Sequence, residues 1–453
     1  KQGANAAEKK ARIHHKIGQL QEAESARSES LQSYRKAARL MAEEGVDRST
    51  EYEIRSALGQ AQYQLGHLGE ARQTIRELQK RFPGNQQANA IYGQILLEMK
   101  EPRAALPYLA QVVDGQPSQA EPYLHYADAH LQIGANPKFA AQALEKALTL
   151  DPDNELAQVL MGEAQSADGN HTAAMQSFQN ALDSPLREDQ RWSPRIILGF
   201  GKTALELGHI ETGLATLKEG YQQNPDNLSL AQGLVEAYLK ADLHPRALDI
   251  LRDAFQIAPD DISNLSWIAR QAREAGSPED AVRALNKITR IAPQHVPAYL
   301  DLAKAHLQQG SPEKASSTLA KVIDLEEAQP DDLFQTGDQL LRLGDLQQGM
   351  KSLKKAANIC QSNPALEDDL PKIWSRLGDG YEMNGDPEHA LELLDKAIAA
   401  ELGQPEWRVK KAELLVRMRR YQAALASLEN ALELSPHHPA YHYKLAVVHR
   451  RVS

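Results

Sequence analysis

The sequence predicts an all-α protein of stacked helix pairs. Three observations carry that prediction: a pattern recurring every 34 residues, an inventory rich in Ala and Leu with aromatics at only 5%, and glycines and prolines that return in register with the pattern. Sparse aromatics suit close helix-on-helix packing better than sheets of aromatic and β-branched residues. At 453 residues the chain exceeds a single small domain. Its one cysteine, Cys360, excludes an intrachain disulfide and a Cys-built zinc site. A formal net charge of −10 gives the chain as a whole no pull toward nucleic acid, and no apolar run approaches a membrane span, so neither a nucleic-acid partner nor direct membrane insertion is expected. The sequence opens Lys1-Gln2-Gly3 without a methionine or an apolar leader, which leaves a cytoplasmic and a periplasmic setting open, and with them a removed N-terminal anchor or a membrane-associated complex reached through a partner.

The elements follow in order. Ile17-Gly18 opens a first helix, but the segment after it is long and lacks a turn glycine, so residues 1–51 read as a degenerate or capping repeat. From there the frame is an apolar/small pair, a glycine turn, then Ala, Leu and Ala at spacings of four and three: Leu58-Gly59, Gly66, Ala71, Ile75, Leu78, with Gly59 and Gly93 separated by one period. It recurs at Tyr126-Ala127 and Met161-Gly162, and after a short extra segment at 189–193 it resumes at Phe200-Gly201 and runs through Tyr238, Ile268-Ala269, Leu302-Ala303 and Thr336-Gly337. A second interruption at 364–370 precedes Leu377-Gly378 and Ala412, and residues 439–453 form a terminal helix without a second one, either a solvating cap or a cut repeat. The chain thus divides into 1–51, the acidic repeats 52–188, the insertion 189–193, repeats 194–363, the insertion 364–370, repeats 371–438 and the terminal helix. The small residue of the first helix faces the Ala of the second so that two axes approach closely, and glycine closes the turn between them. Asp151-Pro-Asp-Asn154 and Asn224-Pro-Asp-Asn227 supply turns and N-caps. Gly213 and Gly349, in place of the second-helix alanine, are expected to cost about 1 kcal/mol each.

This frame resembles the tetratricopeptide repeat, TPR, and covers nearly the whole chain in about eleven units. The resemblance implies a right-handed superhelical solenoid of antiparallel helix pairs, with the first (A) helices lining a concave groove and the second (B) helices outside. It also implies a protein that binds partners and carries no catalysis.

The residues themselves show no reaction centre. Gly201-Lys202-Thr203 has the tail of a phosphate loop but Ile196 stands where its first glycine belongs, and it lies inside a helix. His438 and His442 have helical metal spacing without a completing carboxylate, His14-His15 reads as an exposed pair, and Cys360 reads as a turn residue with no histidine at a useful spacing. No metal and no cofactor is expected. The sequons at Asn170, Asn227 and Asn264 suit an Asn-rich turn architecture.

Partner recognition therefore falls to groove positions two, five, six, nine, twelve and thirteen of each repeat. Early repeats place Glu53, Glu121, Asp128 and Glu163 there; later ones place Arg195, Lys202, Arg270, Arg273, Lys304, Gln335, Arg342, Lys372 and Arg376, with Trp267 and Phe334 between them. Residues 104–186 hold ten acids against Lys138 and Lys146, a local net of −8, whereas Arg408, Lys410, Lys411, Arg417, Arg419 and Arg420 face only Glu413. A groove that changes sign would orient an extended peptide or a charged domain. Lys372 and Arg376 match part of the carboxylate clamp of TPR chaperone adaptors, but Leu300, Lys304 and Gln335 depart from it, which argues against that role. The expected function is a protein-interaction scaffold holding a peptide or partner domain, in a bacterial assembly such as an envelope polysaccharide or pilus secretion system. The alternative is a regulatory TPR arm of a larger enzyme.

Overall fold

The computed structural model describes residues 2–23, 26–44, 47–134, 136–183 and 193–452. The expected segment at 189–193 lies, up to residue 192, outside the described residues. The chain falls into two compact units, Lys1–Ala241 and Asp242–Ser453.

Among the described residues the first unit holds thirteen helices: α1 (Gln2–Ala23), α2 (Arg27–Glu44), α3 (Arg48–Gln64), α4 (Leu68–Arg81), α5 (Gln86–Glu98), α6 (Pro102–Asp114), α7 (Glu121–Ile133), α8 (Pro137–Leu150), α9 (Glu155–Ala167), α10 (His171–Leu182), α11 (Ser193–Glu206), α12 (Ile210–Gln223) and α13 (Leu228–Lys240). The second holds α14 (His244–Ile257), α15 (Ile262–Glu274), α16 (Pro278–Ile291), α17 (Val296–Gln308), α18 (Pro312–Val322), α19 (Pro330–Arg342), α20 (Leu346–Ser362), a 3₁₀ turn at Pro364–Asp369, α21 (Leu370–Met383), α22 (Pro387–Ala400), α23 (Pro405–Arg417), α24 (Tyr421–Leu434) and α25 (Pro439–Val452). Within each unit successive helices pack on one another, so that neighbouring helices form antiparallel hairpins. In the first unit successive odd helices also touch one another, which places them on the inner, concave row. None of the described helices is long and apolar enough to cross a membrane.

One contact explains the repeat frame. A Cβ added at Gly59 would lie 2.3 Å from Ile75, at Gly93 2.5 Å from Leu109, at Gly201 2.5 Å from Leu217 and at Gly337 2.6 Å from Leu353. In every case a large side chain of the B helix fills the space that the A-helix glycine leaves. Gly18 stands in the same relation to Tyr34, at 2.5 Å, so α1 and α2 form a full repeat in the common register. The next A helix, α3, begins at Arg48, inside the 1–51 segment.

The helix-B glycines behave differently from expectation. A Cβ at Gly213 would sit 2.8 Å from the carbonyl oxygen of Gly201, and one at Gly349 would sit 3.1 Å from that of Gly337. Where both crossing residues are glycine the backbones approach closely: an alanine at Gly213 meets a carbonyl at clash distance and one at Gly349 fits only if its neighbours give, so these glycines serve packing and are not simply a propensity defect. Turns close as expected in α7, whose C-terminal Gly134 has φ +65°. At the equivalent place Lys100 (φ +61°), Asp242 (+59°) and Arg419 (+61°) adopt the same left-handed conformation with a side chain attached. The N-caps read from the sequence form: Asn154 accepts from the Ala157 amide and Asn227 from the Leu230 amide.

Two expectations are corrected here. Cys360 lies within α20 and is fully buried, and burial raises its thiol pKa; the helix runs to Ser362, so no turn exposes it. His15 is buried against Tyr34, their rings 5.7 Å apart, because α1 is packed as a repeat helix.

Candidate functional site

The inner face of the first unit holds a pocket of about 840 Å³, lined by side chains from α3, α5, α7, α9 and α11. Its walls include Tyr63, Gln94, Glu98, Glu121, His125, Asp128 and Arg195. Helical register builds it. Position six of one repeat lies against position nine of the preceding one, so His125 meets Gln94, whose Nε2 donates to His125 Nδ1 at 3.2 Å and also to Glu121 Oε1 at 3.2 Å. That donation requires the neutral His125 tautomer protonated at Nε2. Burial pushes the His125 pKa down, and the nearby Glu121, Asp128 and Glu98 oppose the shift.

Arg195, expected at the start of a basic stretch, is claimed by acids of the repeats before it. Its Nε and Nη2 meet the Glu163 carboxylate at 2.5 and 2.6 Å, and Nη2 reaches Asp128 at 3.4 Å. Burial disfavours this guanidinium charge, but the bonds to Glu163 and the field of Asp128 outweigh it and raise the pKa. Glu98 and Glu53 are exposed, and among the described residues neither pairs with a cation of the groove. The first unit's concave face is thus acidic with a pocket at its centre.

In the second unit the expected basic residues are on A helices, but carboxylates thread between them. Arg273 lies 3.9 Å from Asp301, and Lys304 bonds the same carboxylate at 3.0 Å. Asp338 meets Arg342 at 2.9 Å and Arg376 at 2.6 Å; Arg376 then reaches Asp379 at 3.0 Å, which Lys410 also meets at 2.9 Å. Lys372 stands over the Phe334 ring, 4.2 Å from its centroid, and Gln335 donates to Asp331 at 2.7 Å. Trp267 is half-buried, and Arg270 is exposed without an ion pair among the described residues. Lys202, in the first unit, pairs with Glu236 at 3.4 Å. The late cluster is paired as well: Lys411 with Asp395 and Arg417 with Glu382, each at 2.5 Å, and Arg420 with Glu388. Counting Lys410 on Asp379, acids of earlier repeats offset four of its six cations, while Arg408 and Arg419 have no ion pair among the described residues. The sequence reading missed Asp301, Asp338 and Asp379, although their place at positions six and nine marks them as groove residues.

The remaining motifs resolve into structure. Gly201 packs on Leu217 and Thr203 is buried within α11. His442 donates from Nε2 to the Pro436 carbonyl at 2.7 Å, and His438 stacks on Tyr441 at 3.9 Å. Among the described residues no group of three or more His, Cys, Asp or Glu is placed to hold a metal. Asn170 and Asn227 are N-caps, while Asn264 is buried and donates to the Ala254 and Ala258 carbonyls.

Tetratricopeptide repeat profiles match residues 204–266 and 272–332, and 56–101, 93–155 and 409–451. The TPR repeat-containing protein YpiA of Bacillus subtilis is 23% identical over 226 residues, covering 43% of this chain and 53% of that protein, so the chain spans about half the length of the curated relative it matches. Among solved structures, the Cut9–Hcn1 hetero-tetramer of the APC/C is 13% identical, with coverage of 97% and 95% and a TM-score of 0.33. A human IFIT1 dimer is 20% identical, with coverage of 86% and 90% and a TM-score of 0.39. MamA from Desulfovibrio magneticus RS-1 is 23% identical, with coverage of 40% and 97% and a TM-score of 0.34. With its register repeated through both units and family profiles matching in each, the chain belongs to the tetratricopeptide repeat family.

Proposed function

We propose that the chain is a non-catalytic scaffold that holds protein partners on its concave helix-A faces, and that the pocket of the first unit receives a basic segment of one partner. The observation that carries this reading is the contrast in charge pairing. Arg195 is saturated by Glu163 and Asp128, while Glu98 and Glu121 point carboxylates at a concave space large enough for a lysine or arginine side chain. Carboxylates of this kind set partner choice and association rate more than raw affinity. The second unit's ladder of ion pairs supports a partner that contacts Arg270, Trp267 and the Lys372–Phe334 stack. The bacterial relative supports a bacterial assembly as the setting, and an envelope polysaccharide or pilus secretion system is the assembly we propose.

The test uses fluorescein-labelled octalysine and octaglutamate peptides against the full chain. Wild type binds octalysine in a salt-sensitive manner, and Glu98→Lys/Glu121→Lys loses at least about tenfold. Equal binding by the variant, or a preference for octaglutamate, overturns the basic-segment reading. Affinity purification from native extract with the same pair of proteins then identifies the partner lost with the acidic pocket.

A further inference from the structure

The repeat register sets position nine of one A helix against position two of the next. Between α9 and α11 this contact is an ion pair: Glu163 accepts from Nε and Nη2 of Arg195. Between α5 and α7 the same contact joins Gln94 to Glu121 at 3.2 Å. A carboxylate thus stands where the other pair has its guanidinium, and a neutral amide stands where it has its acid. Gln94 gives Glu121 a hydrogen bond and no counter-charge. Glu98 closes α5 and Glu121 opens α7, and among the described residues neither meets a cation. Both line the pocket together with the half-buried Tyr63 of α3, whose hydroxyl has no hydrogen-bond partner among the described residues. Burial raises the Tyr63 pKa, and the charges of Glu98 and Glu121 raise it further, so the two acids of different helices converge on this one phenol.

We infer that this pocket selects arginine over lysine in the partner's basic segment, the guanidinium stacking on Tyr63 and bridging Glu98 and Glu121; the inference rests on the basic-segment reading proposed above. Three features select arginine. The acids belong to different helices, and a planar fork of N–H donors serves two carboxylates at once, whereas an ammonium is a compact point charge that keeps its water. The chain's own Arg195 shows the arrangement, since its guanidinium spans Glu163 of α9 and Asp128 of α7. Tyr63 adds an aromatic ring beside the two acids, and a weakly hydrated guanidinium stacks on such a ring at a smaller desolvation cost than an ammonium. Lys100 also lines the pocket and opposes both cations alike. Selection therefore comes from the paired acids and the ring, and net charge supplies only the attraction that lysine and arginine share.

Fluorescence anisotropy of fluorescein-labelled octaarginine and octalysine with the full chain tests this. Wild type binds octaarginine at least about tenfold more tightly than octalysine. The general advantage of arginine on any acidic surface is read from Glu98→Lys/Glu121→Lys, whose ratio of the two affinities is the baseline. Tyr63→Leu falls toward that baseline with its helical circular dichroism unchanged, while Tyr63→Phe, which keeps the ring, keeps the wild-type ratio. Glu121→Gln, at an exposed position, leaves a single acid and lowers the ratio without touching the packing, so it decides the matter if Tyr63→Leu fails to fold. A wild-type ratio at the baseline, or one that neither Tyr63→Leu nor Glu121→Gln reduces, overturns arginine selection, and the basic-segment reading survives that result if octalysine binding still depends on Glu98 and Glu121. Loss of binding to both peptides in the wild type, or a preference for octaglutamate, overturns both.

Discussion

The two units share one packing rule and differ in how they use charge. In both, an A-helix glycine admits a large B-helix side chain: Gly201 and Leu217 in the first unit, Gly337 and Leu353 in the second. On the inner face they diverge. The second unit neutralises itself along Asp301, Asp338 and Asp379, while the first leaves Glu98 and Glu121 beside a pocket. The shared rule concerns the stack and the difference concerns the groove. A repeat protein thus keeps its fold constant while varying the positions that have no packing duty.

The largest effects test the shared rule. Gly201→Val and Gly337→Val each drive a side chain into a leucine that the structure places 2.5 and 2.6 Å from the added Cβ, with the helix-B glycine carbonyl also close in the second case. Each is expected to cost about 3 kcal/mol, measured by urea unfolding. Equal losses keep the comparison, and a loss confined to one unit breaks it. Gly213→Ala sharpens the point: helix propensity alone gives a gain of about 1 kcal/mol, whereas the contact with the Gly201 carbonyl predicts destabilisation.

The next effect separates the units. Asp338 bridges Arg342 and Arg376, and the Asp338 and Arg376 side chains are only 22% and 21% exposed. Asp338→Ala leaves Arg376 with one fewer counter-charge in a partly dry site and is expected to cost about 2 kcal/mol. Glu121→Ala in the first unit, which removes an acceptor for Gln94 on an acidic face, is expected to change stability by less than about 0.5 kcal/mol. Denaturant midpoints of the two variants check both.

A pH effect follows in size. Burial lowers the pKa of His15, His125 and His130, and His130 is held between Tyr126 and Phe139, rings 4.6 and 5.6 Å away, with neither ring nitrogen bonded. A depressed folded-state pKa means that the unfolded chain takes up the proton first. The neutral histidines therefore contribute full stability above the ordinary value of about 6.5, and that contribution is lost as pH falls through the lower folded values. Hydrogen exchange in α7 and α8 should accelerate below that point, and His130→Phe, apolar in both states, should flatten the dependence. A profile unchanged by the substitution removes His130 from the account.

How much of this was readable in advance depends on the link involved. The helix pairs, the turn at Gly134 and the caps at Asn154 and Asn227 follow from local spacing, because each residue answers to neighbours within a turn or two. The cancellation of Arg376 by Asp338 and of Lys410 by Asp379 was missed because charges were read helix by helix. The contacts run from position six of one repeat to position nine of the one before. Once the register is known, that offset is visible in the sequence, and His125 on Gln94 obeys it too. His15 reads as exposed for a related reason: the segment after Gly18 lacks the turn glycine, so the sequence does not mark Tyr34 as the α2 side chain that packs against Gly18 and covers His15.

The smallest effects come from two turns and bear on both units at once. Lys100 and Arg419 hold left-handed backbone at the place where most repeats have glycine. Glycine there relieves about 1 kcal/mol of strain, so Lys100→Gly and Arg419→Gly should each raise the unfolding midpoint. Their functional consequences should differ, because Lys100 lines the acidic pocket and Arg419 does not. Removing Lys100 deletes a positive charge from a site proposed to receive lysine or arginine, so octalysine should bind more tightly to Lys100→Gly and unchanged to Arg419→Gly. Equal affinities for the two variants, with both stabilised, would keep the packing rule and remove the pocket from the recognition surface.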